Sequence, residues 1–376
     1  MKFALFYHSL LSDWNHGNAH FLRGVASELI CRGHRVDVYE PRNGWSLRNL
    51  MSEQGQAPVA AFHRVYPELT TNFYEPERID LDRALDGADV AIVHEWNDPD
   101  FVGRVGERAR HSRCRLFFHD THHRSVSEPH AMKHLDLRHY DGVLAFGKTI
   151  ADTYLENGWA QLAWIWHEAA DTRRFHPIVT DDREGDLAWI GNWGDDERSA
   201  ELRRFLLDPV ASLGLSAKVY GVRYPESALQ ALRAAHIEYG GWVANYRVPE
   251  VFAHFGCTVH VPRRAYADTL IGVPTIRMFE ALACGIPLIS APWQDSEQLF
   301  RPGVDYLVAR DGSQMQQMLR DVLSDRELAG SLALHGLETI MKGHTCKHRV
   351  DELLHIVTEL DAAGDQMRGL KAAGAR

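Results

Sequence analysis

One segment in the second half of the chain, Gly272–Pro287, limits the fold and the ligand more than any other. Its sequence, GVPTIRMFEALACGIP, predicts a helix that ends at a Gly-Ile-Pro stop, and the apolar run 288–291 that follows predicts a buried strand. The first turn of such a helix has free backbone N–H groups and a positive dipole end, which suit a diphosphate. Glu280 would lie one to two turns in, where its carboxylate could accept hydrogen bonds from two adjacent hydroxyls. A diphosphate beside a diol is the outline of a nucleotide sugar; the alternative is an ordinary helix with a solvated Glu280.

Short β-rich runs alternate with helical patterns in two series along the chain. The predicted strands are 3–7, 35–40, 90–94, 116–119, 142–146 and 162–166 in the first series, and 187–191, 218–220, 237–239, 258–261, 288–290 and 306–308 in the second. Strands that alternate with helices form parallel sheets covered by helices on both faces. We therefore expect an α/β protein with two Rossmann-like domains.

A charged segment without a sustained apolar period, 167–184, separates the two series. It predicts an amino-terminal domain at 1–168, a linker at 169–185 and a carboxyl-terminal domain at 186–345. The remaining residues, 346–376, begin with an amphipathic helical pattern and finish in an Ala- and Gly-rich stretch that we expect to fray.

The composition excludes several classes of partner and location. A net charge of −10 argues against a general nucleic-acid or anionic-membrane surface. Five widely spaced cysteines without a C-x-x-C pattern indicate reduced thiols in a cytoplasmic protein. No apolar stretch approaches the roughly 18 residues that span a membrane. The start, MKFALFYHSLLSDW, lacks a small-residue cleavage site, so it predicts a first strand rather than a signal peptide.

Polar residues follow two predicted strands of the first half, and ligands of open parallel sheets bind beyond the carboxyl ends of strands. Gly17 and Asn18 follow the first strand, where a glycine lets a ligand approach the backbone; the alternative is a plain loop. The segment 119–124, HDTHHR, follows the fourth strand and predicts a polar cleft wall that contacts sugar hydroxyls or donates to a leaving phosphate. A zinc site and a solvated turn are the alternatives. Because His122 and His123 are adjacent and would diverge, we expect no metal.

Three features of the second half also lie just after predicted strands. Arg198 follows the first strand and could clamp phosphate oxygens in a bidentate way. The pair Gly240–Gly241, before Trp242 and Val243, would let a flat base lie against the backbone. The long loop 263–274 could close over a substrate. The alternatives are an ordinary arginine at a helix start for Arg198, a tight turn for the glycine pair, and a plain surface loop for 263–274.

Three segments, in this order, resemble the GT-B group-one glycosyltransferases, and most closely the CgeB-like branch, named for a spore maturation protein. The linker sequence 171–177, DTRRFHP, is similar to the D-t-x-x-F-x-P hinge of that family. The sequence 277–287, RMFEALACGIP, is similar to its F-E-A-x-A-x-G-x-P core, and 290–308 resembles the stretch that follows. The resemblance spans nearly the whole chain, and it implies a GT-B fold whose final helix crosses back onto the first domain.

The resemblance also implies roles for individual residues. The donor-binding residues would be Glu280 at the ribose diol, Thr275 and Ile276 with Arg198 at the diphosphate, Arg277 in the same motif, Trp242 and Val243 at the base, and Gly17 and Asn18 at the transferred sugar. His122 would face that sugar as a catalytic residue, and Asp120 would orient the wall that carries it. Such enzymes need no divalent ion, because helix dipoles and arginine offset the charge of the leaving group.

One position departs from the related retaining enzymes, which carry a first Glu in an E-x7-E motif where this chain has Gly272. The leading hypothesis is a metal-independent glycosyltransferase that uses a nucleotide-diphosphate sugar and an unknown acceptor (a small molecule, glycan, lipid or protein). A nucleotide-sugar 2-epimerase-like enzyme and a non-catalytic nucleotide-sugar-binding or coat-type protein are the alternatives. The departure leaves the donor sugar, and retention or inversion of configuration, open.

Overall fold

A seven-stranded parallel sheet organises the first half of the chain, as seen in a computed structural model that describes residues 1–374, without the side chains of Asp195 and of 364–374. Its strands are β1 Lys2–Phe6, β2 Arg35–Pro41, β3 Thr71–Tyr74, β4 Val90–His94, β5 Arg115–Asp120, β6 Gly142–Ala145 and β7 Ala163–Ile165, in the order β3-β2-β1-β4-β5-β6-β7. Its helices are α1 Ala19–Cys31, α2 Trp45–Gln54, α3 Ala57–Val65, α4 Leu81–Leu85, α5 Pro99–Ala109, α6 Arg124–Ser127, α7 Pro129–Met132 and α8 Lys148–Glu156.

A six-stranded parallel sheet organises the second half. Its strands are β8 Gly185–Ile190, β9 Ala217–Tyr220, β10 Ile237–Tyr239, β11 Phe255–His260, β12 Leu288–Ser290 and β13 Leu307–Val308, in the order β10-β9-β8-β11-β12-β13. The remaining helices are α9 Ser199–Leu202, α10 Asp208–Leu213, α11 Glu226–Ala234, α12 Val248–Ala253, α13 Ile276–Ala283, α14 Gly312–Ser324, α15 Arg326–Gly343 and α16 Cys346–Gly374. The expectation of two parallel-sheet α/β domains is confirmed.

In both sheets the strand order reverses at the first strand. β1 lies between β2 and β4, and β8 lies between β9 and β11. At such a switch point the loops on the two sides of the strand turn to opposite faces of the sheet and leave a crevice at its carboxyl end. The fold therefore places one crevice in each domain, and the two crevices face a common cleft.

The last helix, α16, returns to the amino-terminal domain. A backbone bridge between Ala170 and Thr345 brings the chain to the start of α16, and the indole N–H of Trp166 donates to the carbonyl of Arg349 at 2.8 Å. Val350 and Leu353 are buried in the same core as α1 and β1. The helix continues to Gly374, through most of the segment that was expected to fray; residues 375 and 376 lie outside the described residues.

Two local features differ from the sequence prediction. β3 was not predicted, because it is a short edge strand whose Asn72 and Phe73 are exposed, so it has no clear apolar alternation. The stretch 197–213, which has a continuous helical pattern in the sequence, is divided by a wide π-helical turn, Arg203–Leu207, and a second such turn, Ala265–Thr269, lies in the loop after β11.

Candidate active site

A cavity of about 880 Å³ lies between the two domains at the carboxyl ends of both sheets. Most of the residues predicted from sequence line it: Gly17, Asn18, His122, Arg198, Trp242, Val243, Thr275, Ile276 and Arg277. The other two, Glu280 and Asp120, are fully buried behind this lining. The structure therefore brings together residues that are up to about 260 positions apart in the chain.

The amino-terminal end of α13 forms one wall of the cavity. Thr275 precedes the helix in an extended conformation, and its hydroxyl lies 3.1 Å from Nε2 of His260 at the end of β11. The first-turn N–H groups of Ile276 and Arg277 have no carbonyl acceptor within the helix. Since the apolar face of α13 is packed into the core of its domain, this end is held rigidly toward the cavity. Its N–H groups and dipole favour an anion there.

The carboxylate of Glu280 is enclosed and connects the two domains. Oε1 accepts a hydrogen bond from Nδ2 of Asn245 at 2.6 Å and lies 3.3 Å from Nδ1 of His20 on α1, while Oε2 pairs with Arg277. Burial would raise the pKa of Glu280, but Arg277, His20 and Asn245 together lower it to about 2, so the group is ionised at neutral pH. Both oxygens of Glu280 are therefore engaged by neighbouring side chains.

Arg198 brings a positive charge to the same wall. Its guanidinium donates to the carbonyls of Val261 at 3.0 Å, Trp193 at 3.4 Å and Asn192. Among the described residues no carboxylate lies within 4 Å of it. Burial, with the nearby Arg263 as the next cause, lowers the pKa of Arg198 to about 9, so it is still protonated at neutral pH. A cation held only by neutral acceptors is suited to bind an anionic ligand.

The loop after β1 approaches α13 from the other domain. A Cβ added at Gly17 would lie 3.2 Å from Cγ2 of Ile276, so this position has little room for a side chain. Asn18 donates through Nδ2 to Oε1 of Glu168 at 3.3 Å. Glu168 lines the cavity but was not predicted as a site residue. Glu168 lies three positions beyond the end of β7, so the rule that ligands bind after strand ends could have identified it from the sequence.

His122 and Asp120, the predicted catalytic residues, have different surroundings. The ring of His122 lines the cavity, packs 4.0 Å from the ring of His123 and lies 5.2 Å from that of Trp96. Burial, followed by His123, Arg124 and Arg263, lowers the pKa of His122 to about 2, so its ring is neutral and can donate one hydrogen bond. Asp120 accepts from the backbone N–H of His122 at 3.0 Å and from the hydroxyl of Tyr154 at 2.9 Å. Asp120 therefore holds the backbone of His122, not its ring.

Aromatic residues from both domains line the cavity. Trp242, in the carboxyl-terminal domain, donates through its indole N–H to Oδ1 of Asp13 at 3.0 Å, which fixes the ring across the domain boundary. Trp45 and Trp96, in the other domain, are 38% and 45% exposed at the rim and were not singled out from sequence. An isolated tryptophan has no sequence pattern that distinguishes a cleft residue from a core residue.

The expected divergence of His122 and His123 is wrong: their rings lie 4.0 Å apart and both line the cavity, and of the histidines in this segment only His119 turns away. His119 points into the core, where its Nδ1 lies 2.7 Å from the hydroxyl of Tyr7, whereas His122 lines the cavity. Within the described part of the chain, no group of three or more His, Cys, Asp or Glu side chains is arranged to hold a metal ion.

Comparisons with known proteins support this reading of the fold. Residues 198–355 match the family model described as "Glycosyl transferase-like", which covers most of the carboxyl-terminal domain and the start of α16. Among curated proteins, none matches the sequence. In the described residues, no helix has both the length and the apolarity to cross a membrane.

Solved structures resemble the whole chain at low sequence identity. A glycosyltransferase from Rickettsia africae has a TM-score of 0.68 at 10% identity, with 95% of this chain and 98% of that chain covered. HepE from Anabaena, in complex with UDP and glucose, has a TM-score of 0.66 at 13% identity, with 96% and 100% covered. An α-glucosyltransferase (AGT) in complex with UDP has a TM-score of 0.68 at 13% identity, with 95% and 100% covered. The chain therefore has the GT-B fold. Its carboxyl-terminal part carries the sequence signature of a glycosyltransferase.

Proposed function

We propose that this protein is a metal-independent glycosyltransferase of the hexosyltransferase type that moves a sugar from a nucleotide-diphosphate donor to an acceptor in the interdomain cavity. The observation that carries the proposal is the amino-terminal end of α13, which lines an 880 Å³ cavity together with Arg198 and Arg277. Free helix N–H groups and guanidinium groups are the usual protein partners of a diphosphate. Complexes of HepE and AGT with UDP support a nucleotide ligand in this fold.

We propose that each part of the donor lies against a different wall of the cavity. The diphosphate would lie at Thr275, Ile276 and Arg277, and the base would lie toward Trp242 and Val243 on the same domain. The sugar would then face the loop of Gly17 and Asn18 and the ring of His122. Glu280 would bind the ribose diol only after it exchanges a present contact, such as that to His20 or Asn245, for the hydroxyls.

The chemistry of transfer requires that negative charge on the leaving diphosphate be stabilised. Arg198 is held in place by three carbonyls and lacks a carboxylate partner among the described residues, so little reorganisation is needed when charge develops. The dipole of α13 acts in the same direction. We therefore propose that no divalent ion is required. The neutral ring of His122 can donate a hydrogen bond to a sugar oxygen without a change of protonation.

A binding screen tests the proposal. Thermal unfolding is measured with UDP, GDP, dTDP and ADP and with sugars of each, with and without EDTA. We expect one nucleotide series to stabilise the protein, the effect to survive EDTA, and the variant Arg198→Lys to reduce it. Arg204→Lys, on an exposed turn of the same domain, is the matched control. No stabilisation by any nucleotide, or stabilisation that EDTA abolishes, would contradict the proposal.

A product assay separates transfer from the alternatives. Release of nucleoside diphosphate that depends on an added acceptor indicates transfer, release without any acceptor indicates an epimerase-like enzyme, and binding without turnover indicates a binding protein. We also propose a place in the CgeB-like branch, supported by the sequence 277–287, and a cytoplasmic location, supported by five cysteines that are all unpaired.

A further inference from the structure

Glu168 differs from Asp13, another acidic residue that lines the cavity, because it has no cationic partner among the described residues. Asp13 pairs with Arg23 at 2.8 Å. Glu168 is only 5% exposed, and its one recorded hydrogen bond is the 3.3 Å contact from Asn18; no Lys, Arg or His of the described residues lies within 4 Å. A buried carboxyl normally has a charged partner or several hydrogen bonds. The protein therefore leaves most of the hydrogen-bonding capacity of Glu168 unused.

Asn18, the partner of Glu168, is also incompletely bonded. Its side chain lines the cavity and is 8% exposed, and its Oδ1 atom is buried without a hydrogen-bond partner among the described residues. Leaving such an acceptor unsatisfied costs about 1–3 kcal/mol. A ligand hydroxyl at this position would remove that cost.

The two residues lie beside the proposed diphosphate site. A Cβ added at Gly17, next to Asn18, would lie 3.2 Å from Cγ2 of Ile276 in the first turn of α13, so this loop lies close to the helix end. A group attached to a diphosphate at that helix end would thus reach Asn18 and Glu168. Position 272, where related enzymes carry the first Glu of the E-x7-E motif, has no room for that side chain. Gly272 has a φ of +90°, and an added Cβ would lie 2.4 Å from Oγ of Ser296.

We propose that Glu168 and Asn18 form a hydroxyl-binding subsite for the sugar of the donor and that they determine which sugar is accepted. This inference rests on the proposed function. The ligand class is a hexose whose adjacent hydroxyls can bond to both side chains at once. Neither residue is assigned a part in bond breaking; both position the sugar.

The charge state of Glu168 suits this role. Burial raises its pKa to about 8; the hydrogen bond from Asn18 opposes the rise, the charge of Glu280 adds to it, and Arg277 opposes it. Tyr266 is a further titratable group that faces it. At neutral pH the carboxyl is therefore mostly protonated, so it can both donate to and accept from hydroxyls.

The test compares dissociation constants for a nucleoside diphosphate and for its nucleotide sugar, measured by calorimetry on the full chain. For Glu168→Ala we expect about tenfold weaker binding of the nucleotide sugar, the loss of about one hydrogen bond, and an unchanged constant for the diphosphate. Glu168→Gln, which keeps a neutral donor and acceptor, should retain most of the affinity. Glu156→Gln, at the exposed end of α8, is the control for charge. Asn18→Ala should repeat the effect of Glu168→Ala.

The outcomes separate the two proposals. Equal loss for both ligands, or no loss for either, overturns the subsite while it leaves a nucleotide site in place. Absence of diphosphate binding in the unmodified protein overturns the proposed function and the subsite with it. A change in the ratio of affinities for two epimeric sugars in Glu168→Ala is expected, and an unchanged ratio contradicts the specificity role. Across pH 7 to 9 the affinity for the nucleotide sugar, relative to the diphosphate, should change in the unmodified protein and remain constant in Glu168→Gln.

Discussion

Nδ1 of His20 lies 3.3 Å from Oε1 of Glu280, and this contact joins α1 of one domain to α13 of the other. Nε2 of the same ring accepts a hydrogen bond from the backbone N–H of Asp171 at 2.8 Å, so in the neutral ring the hydrogen is on Nδ1, the ring nitrogen near the carboxylate. The motif that binds the donor in the proposed function is thus also part of the domain interface. Occupancy of the cavity and closure of the domains are expected to depend on the same carboxylate.

Glu280→Gln should lower stability in a pH-dependent way. The carboxyl has a pKa lowered from 4.5 to about 2, so its ionised form contributes stability above pH 4.5 that is lost as the pH falls through 2. At pH 7 we expect a loss of about 2 kcal/mol, typical of hydrogen bonds to a charged group. Urea unfolding from pH 7 to pH 2 measures the difference, which should shrink at low pH. A difference that is constant with pH would contradict the assignment.

Glu168→Gln should have the opposite pH dependence. The pKa of Glu168 is raised from 4.5 to about 8, so the neutral form stabilises the fold fully below pH 4.5, and this contribution is lost as the pH rises through 8. The stability of the unmodified protein should therefore fall between pH 5 and pH 9 relative to that of the variant. Thermal unfolding of both proteins across this range measures the change. Parallel curves would show that Glu168 does not titrate as described.

Arg198→Lys should weaken binding of the nucleotide without unfolding the protein. Lysine keeps the charge but cannot donate to three carbonyls and an anion together, so we expect a loss of about tenfold to hundredfold in affinity for the diphosphate. Calorimetric titration measures it, with Arg204→Lys as the control. Unchanged affinity in Arg198→Lys would remove Arg198 from the site.

A substitution at Gly24 tests the packing of α16 on α1, and a substitution at Gly330 serves as the contrast. A Cβ at Gly24 of α1 would lie 2.4 Å from Sγ of Cys346 and 2.9 Å from Cβ of Asp171, so Gly24→Ala should destabilise the protein by about 1–3 kcal/mol. Gly330, in the second turn of α15, has open space where a Cβ would be added, and Gly330→Ala should stabilise by about 0.5–1 kcal/mol. Differential scanning calorimetry of both variants checks the contrast. A stabilising Gly24→Ala would show that α16 does not pack on α1 as described.

The sequence was most informative where local pattern and fold coincide. The alternation of strands and helices predicts both sheets, and the order of the strands then places Gly17, Arg198 and Thr275 at carboxyl ends that share a cleft. The conformational freedom of glycine and the ends of helices and strands depend on neighbouring residues in the chain. They can therefore be predicted from one sequence.

The parts that could not be predicted depend on how the domains dock. The contact of His20 with Glu280 joins residues 260 positions apart, and neither residue carries a local signal of the other. Burial also changes chemistry in a way that residue type does not show. His122 was predicted as a catalytic residue facing the sugar, and histidine ordinarily titrates near neutral pH, yet its surroundings lower its pKa to about 2. Glu168 lies in the charged segment that was predicted to separate the two series, and its lack of a nearby cation could not be seen in the sequence.

A crystal structure with bound donor tests the central claim most directly. The nucleotide sugar that gives the largest thermal shift is soaked into crystals or co-crystallised with the protein. The account predicts difference density for a diphosphate within hydrogen-bond distance of the N–H groups of Ile276 and Arg277, with the sugar directed toward Asn18 and Glu168. A diphosphate bound elsewhere, or an empty cavity at saturating donor, would contradict it.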